Sequence, residues 1–106
     1  MGVKKYHKLV RDRIPEIIEA SGKSCVTETL SEEEYLRMVD AKLDEELVEY
    51  HNEPNLEELA DLMEVIYAAA AARGYTPEQL EQARAAKAAE RGKFENRILL
   101  LEVTRD

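Results

Sequence analysis

Apolar side chains repeat every three or four residues along the middle of the chain, which is the spacing of one face of an α-helix. The repeating positions are Leu36, Val39, Leu43, Leu47 and Tyr50. Ahead of them, Ser31 and Glu34 have the spacing of a capping box, a side-chain pair that opens helices. The pattern ends at Pro54, since proline cannot continue a helix. We therefore predict one long helix from Ser31 to about Asn52.

Three further helices are predicted, each opened by a capping residue and closed by glycine. They run from Asp12 to Glu19 or Ala20, from Asn55 or Leu56 to Arg73, and from Thr76 to Gly92. Pro15 lies in the first turn of the first helix, where its missing N–H is harmless. Gly74 follows the next helix because glycine readily adopts the left-handed conformation found there. Gln79 completes a capping box with Thr76.

Two segments outside these helices carry β-forming residues. Ser24–Leu30 alternates weakly between polar and apolar residues, and Asn96–Val103 is rich in Ile, Leu and Val. We predict that each forms a short strand and that the two strands pair. The expected fold is therefore a single mainly α domain over residues 1–106, with about four helices and a minor β-strand pair.

The composition narrows the classes of partner. A net charge of -8 argues against a nucleic-acid polymer, which normally requires a basic surface. Cys25 is the single cysteine, so an intrachain disulfide and a cysteine-based zinc site are excluded. The sequence shows neither a signal peptide nor an apolar run long enough to cross a membrane, and we expect a cytoplasmic protein. Because the third helix is apolar on most sides after Val65, we also predict a homo-oligomer, most simply a dimer of hairpins.

Two pairs of carboxylates, each three residues apart, lie on the second and third predicted helices. They are Glu46 with Glu49, and Glu58 with Asp61. Helices joined by a short turn run antiparallel, so both pairs lie near the same end of the hairpin and can face each other. Glu46 falls at the edge of the apolar stripe, which predicts partial burial. Converging carboxylates repel one another unless cations neutralise them, and oxygen-only ligands suit Mg²⁺ or Mn²⁺.

Spacing alone leaves a structural interpretation of the same carboxylates open. Glu58 has the spacing to close a capping box with Asn55. The glutamates of the long helix, Glu45 among them, can form a solvated charged face with Lys42 as an i,i+4 partner.

Two basic segments stand out in this acidic chain. Arg84, Lys87 and Arg91 share one face of the fourth predicted helix, and Lys8 and Arg11 lie near the N-terminus. Basic side chains of this kind bind the outer oxygens of a polyphosphate, and arginine does so bidentately. The alternative is an ordinary solvated helix face, which we favour for Arg84.

Four segments of the chain resemble a known family. They are YHKLVRDRIPEII, KLDEELVEY, EELADLMEVIYA and KAAERGKFENRILL. In order and over nearly the whole chain, they are similar to the all-α NTP pyrophosphohydrolases related to MazG and to phosphoribosyl-ATP pyrophosphohydrolase. The small branch of that family that begins with a KLVRDKI-like segment is the most similar.

The resemblance implies Mg²⁺-dependent hydrolysis of a nucleoside triphosphate to the monophosphate and pyrophosphate. It implies a metal site at the ExxE and ExxD motifs and phosphate contacts from four basic residues. The implied metal ligands are Glu46, Glu49, Glu58 and Asp61, and the implied phosphate-binding residues are Lys8, Arg11, Lys87 and Arg91. In the mechanism that the resemblance implies, Glu46 holds the catalytic metal, and either Glu49 or Glu45 completes proton removal from the attacking water.

Two features depart from the family pattern. The segment between Glu49 and Glu58 is short, which leaves the substrate open because the turn lies beside the site. His7 stands where the family pattern has asparagine. Two alternatives therefore remain: hydrolysis of phosphoribosyl-ATP, and a non-enzymatic helical module that binds a partner.

Overall fold

The computed structural model describes residues 2–105, and within that range the chain forms four α-helices. They are α1 (Ile14–Ala20), α2 (Glu32–Asn52), α3 (Leu56–Ala72) and α4 (Pro77–Arg91). The mainly helical fold and the order of the four helices are confirmed.

Side-chain caps explain where three of the helices begin. The Ser31 hydroxyl accepts a hydrogen bond from the Glu34 N–H at 3.2 Å, and the Asn55 side chain accepts one from the Glu58 N–H at 2.9 Å. Thr76 opens α4 with a complete capping box. These bonds satisfy N–H groups that have no partner within the helix. The predicted starts of α2, α3 and α4 are confirmed.

The first helix begins differently. Its N-cap residue is Arg13, which makes no side-chain capping bond, so the prediction that Asp12 caps this helix is wrong. A backbone turn from the Ile14 N–H to the Arg11 carbonyl, at 3.0 Å, places Arg13 at the cap. The Arg13 side chain then pairs with Glu16 at 2.6 Å.

The predicted strand pair is also wrong, because residues 2–105 contain no β-strand. A strand requires backbone hydrogen bonds to a neighbour. Neither Ser24–Leu30 nor Asn96–Val103 makes such bonds in the described range. Most of their side chains consequently remain exposed, and Val26 is fully exposed.

The main helix–helix interface lies between α2 and α3, with a smaller one between α3 and α4. An ion pair of 3.2 Å joins Arg73, after the end of α3, to Asp40 in the first half of α2. The two helices therefore run antiparallel, as predicted from the short turn between them. Val39, which belongs to the apolar stripe of α2, is completely buried.

The chain is extended rather than compact. Its dimensions are 69 × 31 × 22 Å, and its radius of gyration is 18.8 Å, against about 13 Å for a compact domain of this length. The accessible surface is 9971 Å², whereas a compact monomer of this mass exposes about 6,000 Å². A large area of this surface is therefore available for contact with another molecule.

No helix within residues 2–105 combines the length and the apolar character needed to cross a lipid bilayer.

Candidate metal centre

Carboxylates from both helices meet at the end of the hairpin beside the α2–α3 turn. Glu46 of α2 and Glu58 and Asp61 of α3 each place one oxygen within 4.8 Å of the other two. Glu45, Glu46 and Glu49 form a second group with the same spacing. The four predicted ligands thus belong to two groups of three that share Glu46.

Two oxygens of this cluster are buried without a partner. Glu46 is only 6% exposed, and its Oε2 atom makes no hydrogen bond with any described residue; the same is true of Oε2 of Glu58. An unpartnered buried carboxylate oxygen costs considerable free energy. Carboxylate oxygens of this kind are the ligands that hard divalent cations prefer. The donor set therefore fits Mg²⁺ or Mn²⁺.

The electrostatics of the two glutamates agree with this fit. Burial raises the pKa of the Glu46 carboxyl, and the neighbouring Glu49 carboxyl raises it further, while Lys42 opposes the rise. Burial also raises the pKa of Glu58, with Glu49 and Asp61 adding to the effect. Each carboxylate is thus destabilised by its surroundings, and a cation would relieve that destabilisation.

Two basic side chains contact the cluster directly. Arg11 Nη2 lies 2.6 Å from Oδ1 of Asp61, although the two residues are 50 positions apart in the sequence. Lys42 Nζ lies 3.3 Å from Oε1 of Glu45 and 3.5 Å from Oε1 of Glu46. The structure therefore brings the predicted Arg11 to the site. The sequence predicts Lys42 only as an exposed partner of the glutamates on the same helix, because i,i+4 spacing does not reveal burial.

The capping interpretation of Glu58 explains the contact of its backbone N–H but not the position of its carboxylate. Its N–H donates to the Asn55 side chain, but the Asn55 N–H donates to the Glu53 carbonyl at 2.9 Å, so the Glu58 carboxylate does not close the predicted capping box. Its carboxylate has an unpartnered buried oxygen, which capping does not explain.

The other predicted phosphate ligands lie elsewhere in the chain. Lys8 Nζ stands 5.6 Å from the centre of the Tyr6 ring. Lys87 and Arg91 are exposed on α4, and Arg91 lines a surface hollow with the residues that follow the helix. In the described range these three side chains form no ion pair with the four carboxylates. Their phosphate contacts stay predictions.

His7 has a φ of 48°, which is in the left-handed region. Asparagine and histidine are both enriched there among residues other than glycine. The backbone at this position therefore suits histidine.

Comparison with known proteins yields a short similarity. An uncharacterised protein of Mycolicibacterium smegmatis is 62% identical to this chain over 42 residues. The matched segment covers 40% of this chain and 43% of that protein, so the chain spans less than half of its relative. No family model matches the sequence, and no solved structure matches it.

Proposed function

We propose that this chain is a Mg²⁺-dependent nucleoside triphosphate pyrophosphohydrolase with a MazG-like helical bundle, and that it releases a nucleoside monophosphate and pyrophosphate. The observation that carries the proposal is the pair of buried, unpartnered oxygens of Glu46 and Glu58 within a carboxylate cluster that spans two helices. The resemblance of the surrounding segments to that family supports the reaction type. A cytoplasmic setting agrees with the single cysteine, Cys25.

Glu46, Glu58 and Asp61 would hold the ion, with Glu49 at the exposed side of the cluster. Bound Mg²⁺ lowers the pKa of a bound water and neutralises phosphate oxygens. Of the two candidate bases, Glu49 is the better placed to accept a proton from the attacking water. It is exposed, whereas Oε1 of Glu45 already contacts Lys42 at 3.3 Å.

Arg11 would bind oxygens of the β- and γ-phosphates, which leave as pyrophosphate. Its ion pair with Asp61 leaves both side chains about half exposed, so the guanidinium can move to a phosphate without unfolding the hairpin. Lys8 would follow it in the same segment, and Lys87 and Arg91 complete the predicted phosphate ligands.

The proposal is tested by measuring pyrophosphate release from a panel of nucleoside triphosphates and from phosphoribosyl-ATP, with Mg²⁺, Mn²⁺ or chelator. We expect release only with a divalent ion, together with a rise in melting temperature because the ion binds the folded state. Preferential turnover of phosphoribosyl-ATP would select that alternative. A non-enzymatic module predicts neither pyrophosphate nor protection by Mg²⁺, and that result would overturn the proposal.

We propose further that the protein is a homodimer. Leu59, Met63 and Ile66 form an apolar stripe on α3 and are between 40% and 53% exposed. The segment after α4 exposes more large apolar side chains. These are Phe94, Ile98, Leu99, Leu100, Leu101 and Val103. The surplus over a compact monomer, about 4,000 Å² per chain from the areas given above, exceeds what a standard interface buries, about 800 Å² per partner.

The double substitution Met63→Glu with Ile66→Glu is expected to convert the dimer to a monomer, because it places charges in the middle of the stripe that the proposed dimer would bury. Light scattering coupled to size-exclusion chromatography measures the mass directly. Glu64 is exposed on the same helix but lies outside the apolar stripe, so Glu64→Gln serves as the control and should remain dimeric. A monomeric wild-type protein at micromolar concentration would contradict the prediction.

A further inference from the structure

The two oxygens of the Glu46 carboxylate have different partners. Oε1 lies 3.5 Å from Lys42 Nζ, whereas Oε2 is buried and has no partner among the described residues. The Lys42 ammonium also lies 3.3 Å from Glu45. One side of the Glu46 carboxylate is therefore neutralised by the protein itself, and the other side is not.

Lys42 is unusually confined for a lysine. Its side chain is only 16% exposed, although lysines normally keep the ammonium group in water. Fixing such a flexible side chain costs conformational entropy. The ammonium is thus held in place beside the group formed by Glu45, Glu46 and Glu49.

We propose that Lys42 is the resident cation of that group and a positioning residue for Glu46. It occupies Oε1 of Glu46 and leaves Oε2 for the group formed with Glu58 and Asp61, so that one divalent ion binds there. A second divalent ion beside Glu45 would lie close to the ammonium, which repels it. This inference rests on the proposed metal centre and adds to it the number of ions bound and the reason for that number.

The test counts Mn²⁺ ions bound per chain, by measuring free Mn²⁺ with electron paramagnetic resonance during a titration without nucleotide. Wild-type protein should bind one Mn²⁺ ion. Lys42→Met keeps the length of the side chain but removes its charge, and it should bind a second ion at Glu45, Glu46 and Glu49. Lys42→Arg keeps the charge and should again bind one.

Arg37→Met is the matched control. It removes a cation from the same helix, but Arg37 is 68% exposed and pairs only with Glu33, at 3.9 Å, so the count should stay at one. Lys42→Gln gives the same test if Lys42→Met does not fold. Equal, non-zero counts in wild type and the neutral Lys42 variants would overturn the role of Lys42. Absence of Mn²⁺ binding in every protein would overturn the metal centre itself.

Discussion

Replacing Glu46 by glutamine is expected to lower Mg²⁺-dependent pyrophosphate release at least about a hundredfold, the loss that follows when a catalytic metal loses a ligand. Glutamine keeps the size of the side chain and its hydrogen-bonding capacity, but it removes the charge that faces the ion. The position is 6% exposed, so solvent cannot replace the lost oxygen. Steady-state release of pyrophosphate at saturating nucleotide measures the effect.

Glu57→Gln is the control for this variant. It makes the same chemical change at the same end of the hairpin, but Glu57 is exposed and belongs to neither carboxylate group. Its turnover should equal that of the wild type. Equal activity of Glu46→Gln and Glu57→Gln would remove Glu46 from the metal centre.

Stability of the metal-free protein should change in the opposite direction. Because the pKa of Glu46 is raised in the folded chain, the folded state holds a proton there more tightly than the unfolded state does. The stabilisation is complete below the usual carboxyl range and is lost as the pH rises through the raised pKa. Above the raised pKa, metal-free Glu46→Gln should therefore be at least as stable as the wild type, and the difference should vanish as the pH falls below the ordinary glutamate pKa of about 4.3. Added Mg²⁺ should stabilise the wild type more than the variant.

Arg11→Met is expected to lower kcat/KM by about tenfold to a hundredfold, which corresponds to losing a charge-assisted hydrogen bond of about 1.5–3 kcal/mol to a phosphate. In the absence of nucleotide the same variant should bind Mg²⁺ more tightly, by a few-fold, since Asp61 loses a competing cation 2.6 Å away. Titration calorimetry with Mg²⁺ and steady-state kinetics together measure these opposite changes.

Arg13→Met controls for the loss of charge in this segment. Arg13 is two residues away and pairs with Glu16 inside α1, so neither kinetics nor Mg²⁺ affinity should change. Weaker binding of Mg²⁺ by Arg11→Met would show that Arg11 supports the metal ligands instead of competing with the ion.

Local signals in the sequence were sufficient to predict where α2, α3 and α4 begin. Ser31, Asn55 and Thr76 cap their helices through bonds to residues three positions ahead, and such bonds depend on neighbouring residues alone. The absence of the predicted strand pair could not be foreseen in this way. Residues such as Val26 favour an extended backbone, but pairing depends on a partner segment that the fold must bring alongside.

In the candidate site, too, the features set by local spacing were predicted, and those set by tertiary packing were not. Helical spacing and a short turn predicted that Glu46, Glu58 and Asp61 would converge, and the position of Glu46 beside the apolar stripe predicted its burial. The contact between Arg11 and Asp61 joins positions that no periodicity relates. The inward orientation of Lys42 depends on how α2 packs against α3, which the spacing of residues on one helix does not determine.

Val39 is the one apolar side chain in residues 2–105 that is fully buried. A single chain with so small a core gains little hydrophobic free energy to offset its loss of conformational entropy. Folding and association would then be one equilibrium, in which the fraction of folded chains rises with total protein concentration. The amount of this protein that is synthesised would therefore govern the activity of each molecule as well as the number of molecules.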